Sequence, residues 1–416
     1  MRIMRKIHSN RVNYIMIGLL LLPIFFALVD FYSSFNTKFS MGLSRYISLS
    51  LPQAYSWMIV CILFSIIAVL VCIFFSFKWS RSNSKVRALN KNVVKNVNRD
   101  FKAIFLVIAT YKTFYIISFG VLKFVLMARS GNLPIGPALY FFFIMFPFIL
   151  AYEIAEKGFN WVNVLSLSIL AFLNLVTGFR LLLIYALAVI IIYNWDAVTK
   201  ISKYKILAVT LIFGLLLVGY ELSRQQLQAR GSNVEIQSVM DSLNRTNPLN
   251  TLQLIKERDV SHSFSDVATL WTHPIAIFFE SFGANFDGLI DTTFDLEKVL
   301  EPLYSDFLAW RGTPSYKATG FAMSIVSYSY LFHQELGVFV FAVAYGLFLA
   351  IGCKLLSSNI YERKILGTAL LVSSFLCHES VVGSIALLIY GLMFFLLMAF
   401  MALSRQTITN FQRNER

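Results

Sequence analysis

Arginine beside an apolar run is expensive to keep, and Arg180 is such a residue. It follows Thr177-Gly178-Phe179 and opens a run of leucine, isoleucine and alanine. At hydrocarbon depth a guanidinium costs roughly 3 kcal/mol unless it is paired or reaches the interface. It keeps its charge and can grip two phosphate oxygens at once, so at headgroup level Arg180 suits a pyrophosphate. The plainer alternative is an anchor that snorkels to the interface. Arg224 and Arg230 follow another apolar run in Glu221-Leu-Ser-Arg224-Gln-Gln-Leu-Gln-Ala-Arg230, and Arg245 lies beyond them. They either enlarge a basic surface or mark a charged helix exit. Lys112 and Lys123, eleven residues apart, share nearly one helical face. Lys112 lies mid-run and is expected to face a bundle interior, whereas Lys123 lies near the run's end, where it joins Arg129 and Arg180.

Proton acceptors sit in two short polar clusters, His333-Gln334-Glu335 and His378-Glu379, each set against an apolar run. A carboxylate or imidazole there can take a proton from a hydroxyl or orient it; the alternative is an interface residue at a helix end. Soluble-enzyme signatures are absent: no glycine-rich phosphate loop, no nucleophile elbow, no zinc-protease helix and no CxxC pair. Cys61, Cys72, Cys353 and Cys377 lie in or beside apolar runs without metal-type spacing. Neither a disulfide framework nor a metal site nor a cofactor is expected.

The elements that must position these groups follow from composition. The 416 residues are 57% hydrophobic and 14% charged, with 40 Phe and 19 Tyr, and the mean hydropathy is +0.68. Soluble domains carry roughly a quarter charged residues, so a soluble globular enzyme is excluded and an all-α polytopic membrane protein is expected. The net charge of +14 then reflects cytoplasmic loops facing anionic lipid rather than nucleic acid. Apolar runs at 13–32, 56–77, 101–127, 133–152, 160–178, 180–194, 204–220, 337–353, 365–377 and 384–403 predict about ten spans. The run 365–377 is short and is either a thin span or a re-entrant turn; it is counted as a span. The first run reads as a retained helix rather than a signal peptide.

Lysine and arginine set the orientation. The N-terminal tail, the connections at 78–100 and before 204, Lys354 with Arg363 and Lys364, and the C-terminal tail are all basic, and ten spans put them on one side with both termini cytoplasmic. The chain divides into an N-terminal bundle of about seven spans (1–220), a large outer loop domain (221–336) and a C-terminal bundle of about three spans with a tail (337–416). The segment 221–336 holds 14 of the 22 acidic residues against eight basic ones, a net charge of −6 against +20 elsewhere. Phe321, Ile325, Tyr328 and Phe332 recur at helical spacing within it. None of the acidic residues sits clearly at mid-span, and there is no internal repeat; both weigh against a transporter.

The layout, the Gly178-Phe179-Arg180 turn and the stretch Ala318-Thr-Gly-Phe-Ala-Met-Ser-Ile-Val-Ser-Tyr-Ser-Tyr-Leu-Phe-His-Gln-Glu-Leu-Gly337 before Val338-Phe-Val-Phe341 resemble the bacterial O-antigen polymerases (Wzy-type oligosaccharide repeat-unit polymerases). The resemblance covers the whole chain in topology, but only about 177–181 and 318–342 in motif. It implies a fold like that of lipid-linked-sugar glycosyltransferases of the GT-C type, a helical bundle under an outer lid in the bacterial inner membrane, with its active site facing the periplasm. The implied substrates are undecaprenyl-pyrophosphate-linked oligosaccharides within membrane lipid; a chain-length regulator stays open as a partner and nucleic acid does not enter. A hydroxyl of the incoming repeat unit would attack the anomeric carbon of the growing chain. Arg180, Arg224, Arg230, Arg245 and Lys123 would hold the pyrophosphate, and Glu335, His333, His378 or Glu379 would assist the hydroxyl. An O-antigen ligase uses the same donor, and a flippase or transporter of the same lipid-linked sugar remains the alternative outside enzymes.

Overall fold

The computed structural model describes residues 2–35, 47, 49–79, 91–120, 136–158, 160–176, 180–198, 247–259, 261, 275, 323–358, 360–378, 381, 384–396 and 400. Every element among them is a helix: α1 (Arg2–Phe35), α2 (Leu51–Trp79), α3 (Lys91–Phe119), α4 (Gly136–Lys157), α5 (Trp161–Val176), α6 (Arg180–Tyr193), α7 (Trp195–Val198), α8 (Pro248–Glu257), α9 (Ile325–Leu331), α10 (Gln334–Leu356), α11 (Tyr361–Leu376) and α12 (Ser384–Leu396). The described part of each apolar run lies mainly on one of these helices; 204–220 falls outside the described residues together with most of 221–336.

Among the described residues, four helical stretches are long and apolar enough to cross a membrane: Tyr14–Phe35, Leu51–Phe75, Lys102–Phe119 and Gln334–Leu356. Their sequences are apolar on all sides, and the structure leaves one side of each uncovered. Leu21, Phe25, Leu28 and Tyr32 of α1 and Ile59, Leu63, Ile66 and Leu70 of α2 are exposed at helical spacing, and Ile117 of α3 is 77% exposed. Continuous apolar faces of this kind are unfavourable in water and natural in lipid. The chain is therefore consistent with a membrane protein.

Charge separates the two ends of the bundle. At one end Lys102 pairs with Glu153, Lys364 lies 4.4 Å from the Tyr193 ring centroid, and Lys354 closes α10. The other end holds Asp30, α8, α9 and the start of α10. Here α2 begins with a capping box: the Ser50 backbone N–H and hydroxyl both donate to Gln53 Oε1, at 2.9 and 2.7 Å, with Pro52 in the first turn. The centre is close-packed. A Cβ at Gly346 of α10 would stand 2.6 Å from the Ala68 carbonyl of α2, so glycine is what lets these two helices touch.

Pro23 interrupts α1 and has no N–H to give to the carbonyl four residues back. That carbonyl, of Leu19, accepts instead from the Tyr345 hydroxyl at 2.8 Å. Tyr345 is the middle residue of α10, and its oxygen lies 3.0 Å from His378 Nε2. The chain thus reaches His378 half-way along α10 and then turns back. A Cβ at Gly391 of α12 would lie 3.2 Å from Ala369 Cβ of α11. The described parts of the runs 365–377 and 384–403 therefore lie side by side, with His378 level with the middle of α10.

Candidate functional site

The end of the bundle opposite the lysines is organised around Asp30. This carboxylate is fully buried and caps a helix far away in sequence. Its Oδ2 accepts from the backbone N–H groups of Leu249 and Asn250 at 2.8 and 3.1 Å, and its Oδ1 accepts from Asn250 Nδ2 at 2.8 Å. Asn250 Nδ2 also donates to Ser34 Oγ at 2.8 Å. Asn247 makes no side-chain cap of its own, so Asp30 satisfies the N–H groups that a helix start leaves unpaired and meets the positive end of the helix dipole. Pro248 fits the first helical position, where no N–H is needed. α8 is thereby seated against α1, α2 and α9, and Ser327 Oγ of α9 donates to the Pro248 carbonyl at 3.2 Å.

α9 opens with Ser324, whose side chain accepts from the Ser327 N–H, and it ends at Phe332. The turn into α10 is strained. His333 and Gln334 have φ of 61° and 51°, each costing roughly 1 kcal/mol or more for residues with a Cβ. A Cβ at Gly337 would run into the carbonyls of Ser329 and Phe332, so only glycine lets α10 rise this close to α9. The outcome of the strain is to present Glu335 in the first turn of α10.

Glu335 stands on the rim of a cavity of about 820 Å³, lined by α2, α8, Tyr330, Gln334 and Asp259. Trp57 of α2 anchors its wall: Nε1 donates to Gln253 Oε1 at 2.8 Å, and Gln253 Nε2 donates to Glu257 Oε1 at 2.7 Å. The Tyr330 ring meets Trp57 edge-on at 5.2 Å between centroids, and Lys256 Nζ lies 5.6 Å from the Trp57 ring centroid. Burial first, and the Glu335 carboxylate second, raise the pKa of the Tyr330 phenol. It remains a hydrogen-bond donor at neutral pH. The cavity therefore offers aromatic surface, amides and carboxylates together, a combination that binds polyhydroxylated molecules and can remove a proton from one of their hydroxyls.

The groups expected from the sequence are only partly gathered here. Glu335 is exposed on the rim and His333 is exposed in the strained turn beside it. Arg180 is the first residue of α6; Tyr193 closes α6 at the Lys364 end, so α6 starts on the side away from Lys364. His378 is set apart. It is 1% exposed, stacks on Phe26 at 5.9 Å and bonds Tyr345. Because Tyr345 gives its proton to Leu19, the network assigns the Nε2–H tautomer to His378, and Nδ1 has no hydrogen-bond partner among the described residues. It lies inside the bundle rather than at the surface expected of it, packed against Phe26 of α1 and Tyr345 of α10. Lys112 is buried as expected. Arg224, Arg230, Arg245, Lys123 and Glu379 lie outside the described residues.

Sequence reasoning missed Asp30, Trp57 and α8. An aspartate inside an apolar run and an Asn247-Pro248 helix start were the signals for the first and last; Trp57 had none among so many aromatics. Compared with known proteins, the chain matches no family model, no curated protein and no solved structure.

Proposed function

We propose that this chain is a glycosyltransferase of the O-antigen polymerase kind, joining undecaprenyl-pyrophosphate-linked oligosaccharides at the periplasmic face of the bacterial inner membrane. The observation that carries the reading is the large polar cavity at the end of an apolar bundle, with Glu335 held on its rim by a strained turn. A membrane protein acting on a polar headgroup needs its carboxylate at this boundary. The basic residues at the opposite end support a cytoplasmic location for that end. Pairing the last two runs as a hairpin leaves both termini on the cytoplasmic side, since two spans are removed together.

In the proposed reaction the acceptor sugar hydroxyl donates its proton to Glu335 while its oxygen attacks the anomeric carbon of the growing chain. The bond from that carbon to the pyrophosphate oxygen breaks, and undecaprenyl pyrophosphate leaves with the electron pair. Arg180, with Arg224, Arg230, Arg245 and Lys123, is the proposed cation set for the leaving group. Arg180→Ala is expected to abolish polymer at normal protein level. Arg180→Lys is expected to keep part of the activity, because an ammonium holds one oxygen where a guanidinium holds two. Wild-type chain lengths from Arg180→Ala would remove Arg180 from the site.

A further inference from the structure

The charge of the cavity bears on what enters it. Among the described residues its lining carries three carboxylates, Glu257, Asp259 and Glu335, against one ammonium, Lys256. The Lys256 charge is partly engaged with the Trp57 ring. The rest of the polar lining consists of Gln53, Ser56, Gln253 and Gln334, groups that both donate and accept hydrogen bonds. Its volume of about 820 Å³ is within the range typical of ligand sites, roughly 300–1,000 Å³. A pyrophosphate is poorly suited to such a lining, because like charges repel. Hydroxyls and ammonium groups are well suited to it.

Resting on the glycan-transfer reading, we infer that this cavity is the acceptor-glycan subsite and that its carboxylates select neutral or amine-bearing sugars against sugars that carry carboxylates. The pyrophosphate of either substrate is assigned to a place outside it. The selection is electrostatic and weakens as salt is raised. Trp57 reports occupancy, since a ligand among Gln53, Gln253 and Tyr330 alters the surroundings of its indole.

The test is a tryptophan-fluorescence titration of the full-length protein in nanodiscs with three probes: chitosan tetraose (cationic), N,N′,N″,N‴-tetraacetylchitotetraose (neutral) and tetragalacturonate (anionic). The expected result is saturable binding of the first two and at least tenfold weaker binding of tetragalacturonate. The difference should collapse in Glu257→Gln/Asp259→Asn. Those side chains are exposed, so the double variant keeps its fold. Trp57→Phe should lose the signal while the order of affinities, read by calorimetry, survives. Equal affinities, or tightest binding of tetragalacturonate, would overturn the selection. If none of the three probes binds, the cavity is not a saccharide site. The polymerase reading is judged separately, by the polysaccharide chain lengths that Glu335→Gln supports in cells: normal chains alongside the expected binding order would sink the transfer reaction and leave the subsite standing.

Discussion

Tyr345 sits between two groups that it alone connects among the described residues, the Leu19 carbonyl released by Pro23 and the His378 imidazole. Tyr345→Phe removes the donor for one and the acceptor for the other, both in a buried site. The expected loss is about 1–3 kcal/mol, measured as thermal or denaturant stability in detergent. Pro23→Ala restores an N–H four residues after Leu19, so in that background the cost of Tyr345→Phe should fall. Equal costs in both backgrounds would separate Tyr345 from Pro23. Asp30→Ala takes away the acceptor for two backbone N–H groups and the Asn250 amide, with an expected cost of about 2 kcal/mol and faster proteolysis at 247–259. Asp30→Asn keeps one oxygen and should lose less. At this scale the sequence was half legible. Glu335 and His333 stood out because polar residues beside an apolar run are conspicuous; Asp30 carried the same local signal, but its capping role did not show, because its partners are 219 and 220 residues away.

At the scale of elements, hydropathy located the helices, and the short run 365–377 reads from sequence as either a thin span or a re-entrant turn. The contact of Gly391 with Ala369 and the bond from His378 to Tyr345 favour a hairpin turning half-way along α10. A turn at that depth is tolerable only where protein encloses it, and Tyr345 and Phe26 lie against His378. The hairpin predicts that Ser384→Cys, in a background where Cys61, Cys72, Cys353 and Cys377 are replaced, resists a membrane-impermeant maleimide from both sides of the membrane. Two complete spans would bring that residue to the surface beside α8, and labelling from that side would restore them. The α9–α10 turn makes a second demand. Gly337→Ala collides with two carbonyls and is expected to displace Glu335, lowering polymer output with the protein still inserted. Undiminished output would show that the strained turn is dispensable.

For the whole molecule the informative feature is polarity from end to end: lysines at one end, and a carboxylate-lined cavity with a buried, aspartate-capped helix at the other. Composition pointed to a membrane protein, and the apolar helices among the described residues agree with it, because composition is a sum over many residues and survives errors in any one. The orientation expected from lysine and arginine is a sum of the same kind. The cavity was illegible for the opposite reason. It is assembled from α2, α8 and the α9–α10 turn, three segments distant in sequence, and no local pattern announces a Trp57–Gln253–Glu257 chain. The proposed transfer reaction depends on Glu335 at the rim of that cavity. The most direct measurement is the surface polysaccharide ladder of the source cells carrying Glu335→Gln in place of the native chain, at matched protein level. The predicted result is lipid A-core capped with a single repeat unit and no longer chains. A ladder of normal length would contradict the assignment of Glu335 and, if Arg180→Ala behaved the same way, the polymerase reading with it.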